Sequence, residues 1–291
     1  MKKILMLVAC WCWAPWALAI SPYLSGSPLP AADVPTLLGQ VERKLQAEGF
    51  TVVGRHQPRG LVAYGSVVVT DPALLDAIRV AGGQAILAAA IRVGVKNDGS
   101  VSYMTPDYWG RAYLRERYEA AQPALRSVQE RLTRALGAGA PFGGDVPAAD
   151  LPRYRYMFGM ERVDASRNEL RGFGSFDDAL RTVRARLAKG AGQTAKVYEV
   201  VLPAQQLAVI GVALNDPESG EAWWAGKIGP EHIAALPYEI FIIGNKAYAL
   251  YGRYRIALSW PALGMGQFMG IARVPDLIHQ TMEQLTLGET P

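Results

Sequence analysis

Apolar positions along the chain repeat with two periods. Between Val34 and Glu48, Leu37, Leu38, Val41 and Leu45 recur at three- and four-residue spacing, which predicts an amphipathic helix. Asp33 can cap it, Pro35 suits its first turn and Gly49 ends it. Phe50 to Val53 and Leu61 to Thr70 predict strands, split by a Pro58-Arg59-Gly60 turn. Asp71-Pro72 predicts a second helix start, with the acid as cap and proline at the first helical position. Ile86 to Val95, an Asn97-Asp98-Gly99 turn and Ser100 to Met104 predict a hairpin.

The order then repeats. Ser175 opens a helix with Phe176, Leu180, Val183 and Leu187 on one face, and Asp178 stands in capping-box position. Val197 to Leu202 and Gln206 to Leu214 predict strands. Asn215-Asp216-Pro217 predicts the next helix start, and Tyr238 to Ile243 with Ala247 to Tyr251 a hairpin about Gly244-Asn245. Arg253 to Ser259 adds a strand by the same reading. Asp33 matches Ser175, Asp71 matches Asp216 and Asn97 matches Asn245 at nearly constant separation, which points to an internal duplication. The expected class is α+β: two similar α/β sandwich-like halves, each helix-strand-strand-helix-hairpin, joined by a long helix. That helix runs from Tyr108 to Leu136, with Leu114, Tyr118, Ala121, Leu125, Val128, Leu132 and Ala135 as an apolar seam and Pro123 as its expected kink. The seam fits packing on a sheet, or self-association as a homodimer. The expected domains are 33–107 and 153–291, with the helix and a Gly/Ala/Pro linker over 108–152.

The first residues change the picture of where the protein works. Lys2-Lys3, the apolar run Ile4 to Leu18 and the small-x-small site Ala17-Leu18-Ala19 have the layout of a secretory signal peptide over 1–19, followed by an extended leader over 20–32. The expected address is periplasmic or secreted. A lipoprotein anchored at Cys10 is the alternative, from Leu7-Val8-Ala9-Cys10. Both cysteines, Cys10 and Cys12, fall in that segment, so the mature chain has neither a disulfide nor a thiolate. No other stretch has the length of a membrane span. The formal charge of +4 falls by two when Lys2 and Lys3 are removed, and that balance does not point to nucleic acid.

Glu48-Gly49-Phe50 at a helix end, the Asp-Pro helix start and Leu236-Pro237-Tyr238-Glu239-Ile240 entering a hairpin make each half resemble the bacterial domain-of-unknown-function family 302 (DUF302). Tyr103 to Trp109, Arg153 to Met160 and Gly252 to Leu258 make the whole chain similar to a group of exported proteobacterial proteins. The resemblance covers most of 33–286 and implies a compact α/β sandwich-like domain. It assigns no activity and no catalytic residue. The long middle helix and the linker depart from a single family domain.

Candidate chemistry is sparse. His56, His232 and His279 lack metal-site spacing and read as surface or turn residues; no nucleophile elbow or P-loop is present, and no cofactor is implied. Gly264 to Gly270 is glycine-rich but misses the dinucleotide spacing. Aromatic residues and arginines cluster three times. Tyr103, Tyr108, Trp109, Arg111 and Tyr113 form one group; Arg153, Tyr154, Arg155 and Tyr156 a second; Tyr251, Arg253, Tyr254 and Arg255 a third. As a strand, 153–156 would put its arginines on one face and its tyrosines on the other. Such groups grip an anionic or aromatic small molecule, or pack Arg on Tyr across a sheet. If Pro123 folds the helix back, the first two clusters meet and line one concave surface. The leading reading is an exported small-molecule binding or accessory protein of the bacterial envelope. The alternatives are a hydrolase or metal-assisted enzyme with a site between the halves, and a self-associating structural envelope protein.

Overall fold

The computed structural model describes residues 18–288. The apolar run before them and Cys10, on which the signal-peptide and lipoprotein readings depend, lie outside the described residues. The chain is mixed α+β with three antiparallel sheets. In chain order the elements are β1 (Ala19–Ile20), β2 (Tyr23–Ser25), α1 (Val34–Ala47), β3 (Thr51–His56), β4 (Tyr64–Thr70) and α2 (Pro72–Ala81). A 3₁₀ segment (Gly83–Ala89) leads into β5 (Ile91–Lys96), β6 (Val101–Met104), α3 (Pro106–Leu114) and α4 (Tyr118–Leu136). Then come β7 (Pro141–Phe142), β8 (Val146–Pro147), β9 (Glu169–Gly172), α5 (Phe176–Ala188), β10 (Thr194–Leu202), β11 (Leu207–Leu214) and α6 (Glu221–Ile228). A second 3₁₀ segment (Pro230–Ala235) precedes β12 (Tyr238–Ile243), β13 (Lys246–Tyr248), α7 (Gly252–Ser259), α8 (Met265–Met269) and α9 (Val274–Gln284). The larger sheets run β3-β4-β5-β6-β2-β7 and β10-β11-β12-β13-β9.

Caps set several boundaries as the sequence leads one to expect. Asp33 accepts from the Thr36 amide at 2.7 Å, Asp71 from Leu74 at 2.9 Å and Ser175 from Asp178 at 3.1 Å. Asp216 departs from its expected role. Its carboxylate accepts from the Glu218 and Ser219 amides in a local turn, and α6 starts later, after Gly220. Ile86 to Ala89 belong to the first 3₁₀ segment, so the strand starts only at Ile91. The leader and linker are not bare connections: β2 pairs with β6 and β7, and β1 pairs with β8.

The middle helix breaks at Arg115 rather than at Pro123. Arg115 takes φ 50°, and its guanidinium is held by the Pro152 carbonyl at 3.0 Å and the Asp164 carboxylate at 3.0 Å. Pro123 sits inside α4 without splitting it. The chain folds back at this elbow. Gly110 makes the close approach possible, since a Cβ there would collide with Leu125. The seam residues Tyr118, Ala121, Leu125, Val128, Leu132 and Ala135 are buried, as α4 packs on α1, α2 and α3.

The two sheets meet through reciprocal contacts. The first 3₁₀ segment packs on β11 and β12, and the second packs on β4, β5 and β6. Strands β3 and β10 touch each other. Each carries a bulge at the same place, Val53 and Val197, and the next residues pair as Gly54 with Val68 and Tyr198 with Gly211. One strand further in, Arg92 stands opposite Val68 and Glu239 opposite Gly211. Arg92 and Glu239 therefore occupy matching positions in the two sheets.

Candidate functional site

Helix α7 draws the three Arg/Tyr clusters together. Residues 253–259 form this helix and not the strand that alternation suggests, and nearly all its positions are buried. An α-helix leaves its last carbonyls without internal partners. Here side chains supply them: Tyr154 donates to Ala257 O at 3.1 Å and Tyr108 to Leu258 O at 2.8 Å, while His232 Nδ1 lies 3.1 Å from Ser259 O. Tyr154 stacks edge-on against Tyr254, with ring centroids 6.1 Å apart.

The other predicted residues are similarly committed. Tyr103 donates to Gly137 O at 2.8 Å, and the Trp109 indole donates to Pro22 O at 2.9 Å. Tyr156 packs on Phe268, and Arg253 reaches Glu161 at 3.1 Å. Arg153 ends a 3₁₀ turn and Arg155 follows in an irregular segment, so the alternating strand expected there does not form. Both arginines are exposed. The tyrosines of the clusters thus meet as packed interior and not as the lining of a concave surface, whereas Arg153 and Arg155 stay at the surface and Arg111 faces away from them. Ring area favours burial, and the α7 carbonyls accept the hydroxyls that burial would otherwise strand.

Deeper in lies a charge cluster that no motif announces. Arg92 from β5, Glu239 from β12 and Arg255 from α7 are 0 %, 3 % and 2 % exposed. Arg92 pairs with Glu239 through Nη1 and donates from Nε to Ala234 O at 2.9 Å. Arg255 binds Glu239 at 3.1 Å, bonds the Ser259 hydroxyl and donates to Ala235 O at 2.7 Å. Burial alone would raise the Glu239 carboxyl, yet Arg255 and Arg92 outweigh it and hold it below the usual range. Burial pushes the neighbouring Tyr113 hydroxyl up to about 12. The available signal was an arginine and a glutamate inside otherwise apolar strands, Ile91 to Val95 and Tyr238 to Ile243.

His56 and His232 are buried, not surface residues. His56 Nε2 lies 2.6 Å from Glu221, joining β3 to α6. Burial holds His232 below its ordinary value. Among the described residues no group of three His, Cys, Asp or Glu side chains is placed to hold a metal ion.

One of several open concavities is a cleft of about 410 Å³ at the α3–α4 elbow; another, of about 440 Å³, lies between Trp223 and the 269–277 segment. Arg111 lies 4.1 Å over the Tyr118 ring and donates to Asp107 at 3.0 Å. Tyr118 also bonds Asp107. Gln122, Leu125 and Arg126 extend the wall, and Arg126 is exposed with no carboxylate partner among the described residues. Of the predicted site residues, Arg111 alone lines this cleft. No protein-family model matches the chain, and no curated protein is significantly similar to it.

Proposed function

We propose that the chain is an exported, internally duplicated binding or accessory protein of the bacterial envelope. Its ligand is a small molecule bearing a carboxylate or phosphate, held at the α3–α4 elbow. The observation that carries this reading is the cleft volume of about 410 Å³, within the range of small-molecule sites, where Asp107 engages Arg111 and Arg126 stands unpaired among the described residues beside the Tyr118 ring and Glu130. Duplication is supported by the shared order helix-strand-strand-helix-3₁₀-hairpin and by the matching bulges. The hydrolase alternative would need an accessible base, and the burial of His56 against Glu221 weighs against it.

Mass spectrometry of protein isolated from its native envelope should find an anionic small molecule. Arg126→Ala should weaken its binding at least tenfold without lowering Tm. A bound molecule that survives Arg126→Ala together with Arg111→Ala would place the site elsewhere. Steady turnover abolished by one substitution would replace binding with catalysis. N-terminal sequencing should find the mature chain starting near Ile20; an intact Met1 or an acylated Cys10 would overturn that address.

A further inference from the structure

The cluster between the halves carries one positive charge too many. Arg92 and Arg255 share Glu239, and no second carboxylate contacts either guanidinium among the described residues. All three side chains are almost fully buried. An uncompensated charge in such a place is costly, because water cannot solvate it. The donors around it are also unsatisfied. Arg92 Nη2 and the hydroxyls of Tyr113 and Tyr198 are buried without a hydrogen-bond partner, while the Tyr23 hydroxyl beside them has Ser259 as its neighbour. Both guanidinium groups face the Trp109 ring, at 6.0 and 5.4 Å, Tyr113 and Tyr23 pack on that ring at 5.6 and 6.1 Å, and Tyr198 lies against Gly211, opposite Glu239, so these groups neighbour one locus. Burial raises each phenol above its ordinary value, so none supplies the missing negative charge as a phenolate.

We infer that this locus binds a small monovalent anion of the halide class, which accepts from Arg92 Nη2 and the surrounding tyrosine hydroxyls and neutralises the Arg92–Glu239–Arg255 cluster. The site is independent of the elbow cleft. A halide suits it in charge and in acceptor capacity: it takes several donors from any direction and brings no donor of its own. Water would meet the hydroxyls but leave the charge. The anion joins α3, β5 and β10, so its binding energy holds the two sheets together.

The test uses the whole chain. Thermal unfolding is followed in sodium chloride, sodium bromide and sodium gluconate at equal ionic strength, gluconate being too large to be enclosed. Chloride and bromide should raise Tm by several degrees over gluconate, with a dependence on halide concentration that saturates. Crystals grown in bromide should show an anomalous peak beside Arg92 Nη2. Arg92→Met removes the excess charge and should abolish the halide-dependent shift. Equal Tm values in all three salts would overturn the inference. So would bromide peaks confined to the surface, with only water-like density at Arg92. Should Arg92→Met fail to fold, the wild-type salt series and the bromide crystals decide the matter alone.

Discussion

In the first half β5 carries Arg92; in the second the matching strand β12 carries Glu239. One strand further out, Gly54 faces Val68 in the first half and Tyr198 faces Gly211 in the second. The backbone repeats while the side chains are complementary. Charge of one sign meets charge of the other across the junction, while within the second sheet the Tyr198 ring fills the space beside Gly211. Two identical halves would place like charges together at that axis. On the proposed duplication, divergence at a few junction positions turns a symmetric contact into a matched one.

The largest effect should come from breaking the charge match. Glu239→Gln leaves two buried guanidinium groups without a carboxylate and should cost about 3–5 kcal/mol in denaturant unfolding. Arg92→Met leaves Glu239 paired with Arg255 and should cost much less. Equal costs would show that the positions are not energetically opposed.

Steric matching comes next. A Cβ on Gly211 would collide with the Tyr198 ring. Gly211→Ala should cost about 1–3 kcal/mol through overpacking. Gly211→Ala with Tyr198→Ala should cost less than the sum of the single changes, as a double-mutant cycle measures. Strict additivity would deny the contact.

The two aspartates that look alike in sequence should differ by a smaller margin. Asp71 caps α2 and also pairs with Arg131 of α4, whereas Asp216 holds only an exposed turn and the Gln193 amide. Asp71→Ala should cost about 2 kcal/mol and Asp216→Ala under about 1 kcal/mol in thermal unfolding.

The smallest effect is a slope. His232 is held below its ordinary value by burial, so the unfolded chain takes up its proton first as pH falls. Its contribution to stability is full above about pH 6.5 and is lost as pH drops through the folded-state value. Tyr23, Phe142 and Trp260 surround the ring, and Glu231 is the nearby charge. His232→Gln should show a shallower loss of stability over that window than the wild type; an unchanged slope would assign the titration to other groups.

Elements with local signals were legible in the sequence. Asp33, Asp71 and Ser175 marked helix starts because a cap needs only a side chain and an amide three residues on. The Asn97-Asp98-Gly99 hairpin was equally local. What failed depended on distant partners. Gly252 to Ser259 reads as alternation because Arg and Tyr alternate, but this helix is enclosed on all sides and has no polar face to give it a helical period. The elbow falls at Arg115 because Pro152 and Asp164, far along the chain, hold that guanidinium. Tyr108 and Tyr154, from two of the clusters, come together at α7 and their hydroxyls serve its carbonyls, while Arg153 and Arg155 stay at the surface. Arg92 and Glu239 were passed over because each looks anomalous alone and becomes intelligible only beside the other.

The reciprocal packing of the two 3₁₀ segments has a consequence for the order in which the chain is made. The faces of β4, β5 and β6 are covered by Pro230–Ala235, which is synthesised only after the elbow, the following loop and strands β9 to β11. At about 5–20 residues per second that interval is on the order of ten seconds. Throughout it the first sheet presents an uncovered apolar face. The first sheet can therefore be completed only after the second 3₁₀ segment has been made, so its native packing closes late in synthesis.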